Sequence, residues 1–409
     1  MDSEEYLLTS TNCAQHWSCA LYNPHTTNLI KTYKNGGITS AKTLQIIGDD
    51  YIIAAEQSKP ILHVWQLNSQ EVNKNARLIL PEPTSCLAVC PKNVYIAAGI
   101  GRKLYVWKLD GKLLSVTKKH FQPITCLTFS SDGQFLAVAG DDGILLIYKL
   151  ADLVAFNTSY TVQKNLGQVE PLHTITQNSM GITDMFTGKF GKKSRLVTVS
   201  GDQSCRIYTF STGVLLLNLV ANEPLMAVII DLPCWNVFVG CLSGVIKQFS
   251  LKSPPRVLTK HLEDNTSTDF IGHNQAVKAL SINMTNTILA SGSDDKSVIL
   301  WEIKSRQVLK KLEYNSVVTN LMFVKGFKNF TVESFKPKII LKNLERNVDE
   351  GNYNFVCAIY QNEDLELSDD ENCLEKTQQR ESLTVENRRL RTVNKQLYDV
   401  ALKLSNKYK

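Results

Sequence analysis

The feature that most constrains the fold of this 409-residue chain is a recurrence. A short apolar strand carrying an aromatic residue, of the form VILWEI, returns at Tyr22, Trp65, Trp107, Tyr148, Tyr208, Phe249 and Trp301, at intervals of 43, 42, 41, 60, 41 and 52 residues. Four of those six intervals agree within two residues, and about 40–45 residues is the period of a four-stranded propeller blade. Each unit reads alike: a strand such as ITCLTFS, a Ser/Asp/Gly turn, a small-residue strand such as FLAVAG, a tight turn, and the aromatic strand. Alternating polarity with Gly, Asp and Asn at the bends is the hairpin signal. One unit cannot bury both its faces, whereas seven closed into a ring can, and closure protects the sheet edges.

The chain ends are consistent with closure. Ahead of Tyr22 there is room for one or two strands only, and after Trp301 an additional strand, SVVTNLMFV (316–324), is available as the inner strand of the first unit. The expected architecture is therefore all-β: a seven-bladed propeller over 1–345, closed by a C-terminal strand. A surface-crossing segment and acidic linker (346–375) and a C-terminal coiled-coil helix (376–409) follow.

The polar stretch SGSDDKSVILWEI (291–303) raises the question of chemistry against architecture. WD-repeat propellers carry a buried hydrogen-bonded set of His, Ser, Asp and Trp, and the seventh unit has all four as His273, Ser291, Asp295 and Trp301. The fourth unit keeps His120 and Asp142, the same 22 residues apart, with Val138 and Tyr148 in place of Ser and Trp. The fifth keeps Thr198 and Asp202 with Asn178 at the His position, and the second and third place Lys59 and Gly101 at the Asp position. A His beside an Asp is compatible with general acid–base work. A set that fades from unit to unit fits a structural lock better, because packing can substitute for it.

Nothing else in the sequence points to an enzyme. GIGRK (99–103) lacks the spacing of a phosphate loop, the HExxH and GxSxG motifs are missing, and the seven histidines form no ligand-spaced group. No metal or cofactor is expected. The ten cysteines are scattered without a CxxC pair, which reads as buried reduced thiols. No apolar run reaches about 18 residues, and MDSEEYLLTS is no secretory signal. A nuclear or cytosolic protein without a membrane span is expected.

Charge is unevenly placed. The net charge is +6, yet residues 361–375 carry seven acids and no base, while 376–409 carry nine bases and three acids. The acidic strip includes Ser368, followed by Asp369, Asp370 and Glu371, which resembles an acidophilic kinase site. In the basic tail Leu383, Leu390, Leu397 and Leu404 recur every seven residues, with Val393 and Val400 beside them and Asn387 and Asn394 at a positions. Polar a positions restrict register and favour a parallel dimer. Self-dimerisation and docking in a partner groove both fit this stripe, and NRRLR (387–391) fits a nuclear address or a nucleic-acid contact. Two long insertions, around 151–170 and 251–269, both follow the marked strand and so leave on one face, which suggests a docking surface.

The start TSTNCAQHWSCALYNPHTT, the SPPR insertion ahead of DFIGH, SGSDDKSVILWEI and the tail with ENRRLR together resemble the WD repeat-containing protein 18 family and its fungal counterparts, over essentially the whole chain. The resemblance implies a non-enzymatic scaffold subunit of a nuclear complex, nucleolar and nucleoplasmic, that matures the pre-60S particle and supports removal of the internal transcribed spacer from pre-rRNA. It implies three partners: a helical proline-, glutamate- and leucine-rich scaffold, a testis-expressed-type helical subunit, and the AAA-ATPase midasin. The tail is similar to the segment through which two copies associate. Two other readings stay open: a propeller that binds RNA directly, and a substrate receptor of another nuclear or cytosolic complex.

Overall fold

The computed structural model describes residues 5–346, apart from 15–16, 75, 77, 156–168, 253, 263–268 and 331–336. They belong to the first of two compact units, Met1–Gly351; the second, Asn352–Lys409, lies outside the described residues.

Seven sheets, antiparallel except for one added edge strand in the fifth, follow one another along the chain and form the seven blades of a propeller. Blade 4 shows the plan: Ile124–Phe129 innermost, then Phe135–Gly140, Leu145–Lys149 and His173–Ile175. Blade 1 takes its innermost strand from the far end, because Val318–Lys325 pairs antiparallel with Glu5–Thr11 (Glu5 opposite Lys325, Leu8 opposite Met322). That pairing closes the ring, as the strand at 316–324 predicts.

The second strand of each blade is flanked on both sides, which explains its small side chains. Phe135–Gly140 and Ile288–Ser293 are buried at every position. A Cβ added at Gly99, Gly240 or Gly292 would lie 2.9, 2.9 or 2.7 Å from a methyl group of Ile124, Val277 or Val318, the inner strand of the next blade. Glycine at that point lets adjacent blades touch. Seven hydrophobic clusters fill the contacts between neighbouring blades, with Trp65, Trp107 and Trp301 among the largest fully buried side chains.

Parts of both insertions pack against the blades. After the third strand of blade 4, Leu150–Ala155 forms a short helix whose Leu150 and Leu153 are buried between blades 3 and 4. Among the described residues blade 6 has three strands, Leu225–Ile230, Asn236–Cys241 and Ile246–Ser250, with Phe270 bridged to Ile246. Chain from its insertion, Thr259–His261, instead adds a parallel fifth strand to the outer edge of blade 5, beside Leu215–Val220. Leu262 then packs with Phe249 and Leu251. Burial of Leu262 fastens that part of the insertion to blades 5 and 6.

Beyond the closing strand, residues 337–346 run across blades 2 and 3. The Asp50 carboxylate accepts the backbone N–H groups of Lys338 and Ile339 (both 2.7 Å), and Leu344 is buried against blades 2 and 3.

Candidate functional site

The polar corner of blade 7 is assembled by three elements. Ser291 lies in the second strand, Trp301 in the third, and His273 in the loop that enters the blade. The Trp301 indole N–H donates to Ser291 Oγ (2.8 Å), whose hydroxyl lies 2.8 Å from His273 Nε2. With that hydroxyl donating to Nε2, His273 carries its proton on Nδ1 and donates it to Asp295 Oδ2 at 2.8 Å. Asp295 also accepts the backbone N–H of Asn274 (3.1 Å), and the backbone N–H (3.0 Å) and hydroxyl (2.7 Å) of Ser297. Burial pushes the His273 imidazole below its ordinary pKa, against the pull of Asp295. Burial works against the Asp295 charge too, but the Ser297 hydroxyl, His273 and the Asn274 N–H outweigh it and hold the carboxyl below the usual range. The His273 side chain has no exposed surface and both its nitrogens are engaged. No substrate proton can reach it, so the arrangement ties a loop to two strands and moves no proton.

Blade 4 holds a reduced version. His120 Nδ1 lies 3.0 Å from Asp142 Oδ2, and Asp142 accepts the Phe121 N–H at 2.9 Å. Val138 stands where a serine would answer the other nitrogen, and among the described residues Nε2 has no partner. Burial again lowers the imidazole pKa. In blade 5 Asp202 binds Arg206 (3.1 Å) and the Ser179 N–H (3.1 Å), and Arg206 also reaches Asn178. Thr198, buried in the neighbouring strand, takes no part in that group.

The remaining blades use substitutes. In blade 2 a buried carboxylate, Glu56, three residues before Lys59, binds Lys59 (2.9 Å) and His63 (3.0 Å). The Trp65 indole donates to the Lys34 carbonyl (2.8 Å), and the Trp107 indole to the Glu345 carbonyl (2.8 Å). Within the ring, Lys42 reaches from the entry to blade 2 toward blades 4 and 5. It donates to the Thr183 carbonyl and lies 3.0 Å from Cys126 Sγ and 3.5 Å from Asp184. Enclosure disfavours its charge, but the Asp184 carboxylate opposes this and the ammonium is held above its ordinary pKa, while burial raises the Asp184 carboxyl in turn. Lys42 lines both a cavity of about 820 Å³ with Asp141 and Asp294 and one of about 320 Å³ with Asp184 and Asn320.

Of the eight cysteines described, seven are buried and none is in a disulfide. Burial pushes the Cys86 and Cys205 thiols up to about 12, far from the thiolate a nucleophile needs. Among the described residues, no group of His, Cys, Asp and Glu has the geometry to hold a metal, and no helix is long and apolar enough to cross a membrane.

The model of the WD domain, G-beta repeat, matches residues 111–149 and 264–302, the stretches that include Asp142 and the blade 7 set. WD repeat-containing protein 18 of Danio rerio is 30% identical over 349 residues, covering 84% of this chain and 79% of the relative. The chain belongs to the WD repeat-containing protein 18 family. Pre-rRNA-processing protein pro-1 of Caenorhabditis elegans is 28% identical, over 83% of this chain and 65% of its own length. Pre-rRNA-processing protein crb3/ipi3 of Schizosaccharomyces pombe is 27% identical, over 73% of each chain.

For this family member the structure brings together His273, Ser291, Asp295 and Trp301, and pairs His120 with Asp142. Ser368 and the heptad residues Leu383, Asn387, Leu390, Val393, Asn394, Leu397, Val400 and Leu404 lie outside the described residues. Sequence reasoning missed Glu56, Lys42, Asp184, Arg206 and the acceptor role of Glu345. The loss of Asp at position 59 was the available signal for Glu56, since the half-buried His63 beside it takes a replacement carboxylate.

Proposed function

We propose that this chain is a non-catalytic scaffold subunit of the nuclear machinery that matures the large ribosomal subunit and supports removal of the internal transcribed spacer from pre-rRNA. The observation that carries the reading is the family relationship. Relatives aligned along 73% and 83% of this chain are named as pre-rRNA-processing proteins. The geometry supports a platform: the buried His–Asp pairs tie loops to strands, and seven of the eight described thiols are buried.

In this reading the propeller contacts a helical proline-, glutamate- and leucine-rich scaffold and a testis-expressed-type helical subunit, and the assembly meets midasin on the pre-60S particle. The heptad stripe of 376–409 joins two copies. The test is affinity purification from nuclear extract of the full chain and of a chain lacking 376–409. Recovery of pre-60S factors with the full chain supports the reading. A full chain that recovers another machine and no pre-60S factor overturns it.

A further inference from the structure

We propose that the turns linking the first and second strands of blades 5 and 6 form a binding surface for single-stranded RNA, with Phe190 and Trp235 as stacking platforms. The first turn, residues 188–194, lies between Ile182–Thr187 and Arg195–Ser200; the second, 231–235, lies between Leu225–Ile230 and Asn236–Cys241. Equivalent turns of adjacent blades emerge on the same face of the ring, and these two are joined directly. The Arg195 guanidinium donates to the Cys234 carbonyl (3.0 Å), and a Cβ at Gly188 would sit 2.7 Å from Cys234 Sγ.

Scattered exposed apolar residues are ordinary. Here both are aromatic, both are more than half exposed (Phe190 57%, Trp235 52%), and they occupy neighbouring turns. Cations surround them. Lys189 and Lys193 flank Phe190 in one turn, and Lys252 places its ammonium 4.6 Å from the centroid of the Trp235 ring. Two nearby carboxylates are hydrogen-bonded within their own turns, although the second oxygen of Asp132 lies beside Gly191. Asp231 is occupied by the N–H groups of Trp235 (2.6 Å) and Asn236 (3.0 Å) and by the Asn236 amide (2.7 Å). Asp132 is occupied by the Ser130 hydroxyl (2.5 Å) and the Gln134 N–H (3.1 Å). The face thus offers flat rings with lysines beside them.

Exposed rings among lysines are the complement of an unpaired strand, whose bases stack on the rings while its phosphates meet the cations. A duplex keeps its bases stacked inside and has no use for the rings. An acidic peptide would answer the charge alone. The surface stands on this geometry, so RNA affinity of the isolated protein can fail while complex membership stands, and the reverse.

The test uses the full chain and a labelled oligouridylate of about 12 nucleotides. Phe190→Ala with Trp235→Ala weakens binding about tenfold or more at an unchanged melting point. Lys189→Glu with Lys193→Glu weakens it and makes the salt dependence shallower, by about 0.7 in log–log slope for each phosphate that is no longer neutralised. Lys252→Glu provides a single-site readout if the double ring variant fails to fold. A background carrying Arg388→Gln, Arg389→Gln and Arg391→Gln separates the basic tail; affinity that vanishes in that background alone assigns the RNA site to the tail and overturns the proposal. Wild-type affinity in the folded ring variant also overturns it. So does competition by duplex RNA as strong as by single strands, or displacement by polyglutamate with no effect of the ring substitutions, which would make this a docking face for acidic protein.

Discussion

Trp107 donates its indole N–H to the backbone carbonyl of Glu345, 2.8 Å away across 238 residues of chain. The Glu345 N–H in turn reaches the Gly111 carbonyl (2.8 Å), and its carboxylate accepts the Leu113 N–H (3.1 Å). A segment past the closing strand is thereby stitched to blade 3. Trp107→Phe removes this donor and leaves part of the buried indole volume empty, so a loss of about 2–3 kcal/mol is expected, with faster amide exchange at 344–345. Leu344→Asp goes further, placing a charge against buried apolar residues, and exposes 337–346 to limited proteolysis. Wild-type protection in both variants would show that this crossing contributes nothing.

Asp295→Ala leaves the His273 Nδ1–H, the Ser297 hydroxyl and two backbone N–H groups without their acceptor. Unpaired buried donors cost about 1–3 kcal/mol each at most, with partial relaxation, so a total of about 3 kcal/mol is expected by urea denaturation. An unchanged midpoint contradicts the locking role of this corner.

The buried imidazoles set a pH dependence. His120 and His273 are held below their ordinary pKa by burial, so near pH 6.5 the unfolded chain binds protons that the folded chain refuses. Stability from these groups is complete above about pH 6.5 and is lost as the pH falls through their folded values. Asp295, held below the usual range, adds a second loss at lower pH, below about 3.9. Urea midpoints measured from pH 7.5 to 5 should fall, with a smaller slope in His120→Asn/His273→Asn. Identical slopes in variant and wild type would exclude the histidines.

Lys42 and Asp184 face each other within the ring. Lys42→Met leaves the carboxylate with one charge partner fewer, and Asp184→Asn does the same to the ammonium; the double variant removes both problems. A double-mutant cycle should show coupling of about 1–3 kcal/mol, with the double variant more stable than the two single losses sum to. Strict additivity would remove the pair from the account of ring stability.

In the proposed heptad reading, Leu390 and Leu397 take the d positions of the tail. Their replacement by Asp puts charge on the stripe that a parallel pair would bury. The full chain should then change from dimer to monomer by light scattering, with the propeller's melting point retained. A wild-type mass for the variant rules out this stripe as the dimer contact.

Much of the architecture was legible because it is written in local spacing. Strand, turn and small-residue strand repeat at the distance a blade needs, and the same period left 316–324 as the unmatched strand that completes blade 1. The set of His273, Ser291, Asp295 and Trp301 was legible for the same reason: the hairpin register that places a serine opposite its neighbour also places the aspartate at the following turn. The tertiary structure decided what lies off the period. Trp65 found the Lys34 carbonyl and Trp107 the Glu345 carbonyl, Glu56 replaced a missing aspartate, Lys42 reached across the ring, and Thr259–His261 joined blade 5 instead of blade 6. Strand register follows from residues a few positions apart, whereas a buried donor takes whichever acceptor ring closure brings within 3 Å, and that neighbour carries no periodic mark in the chain.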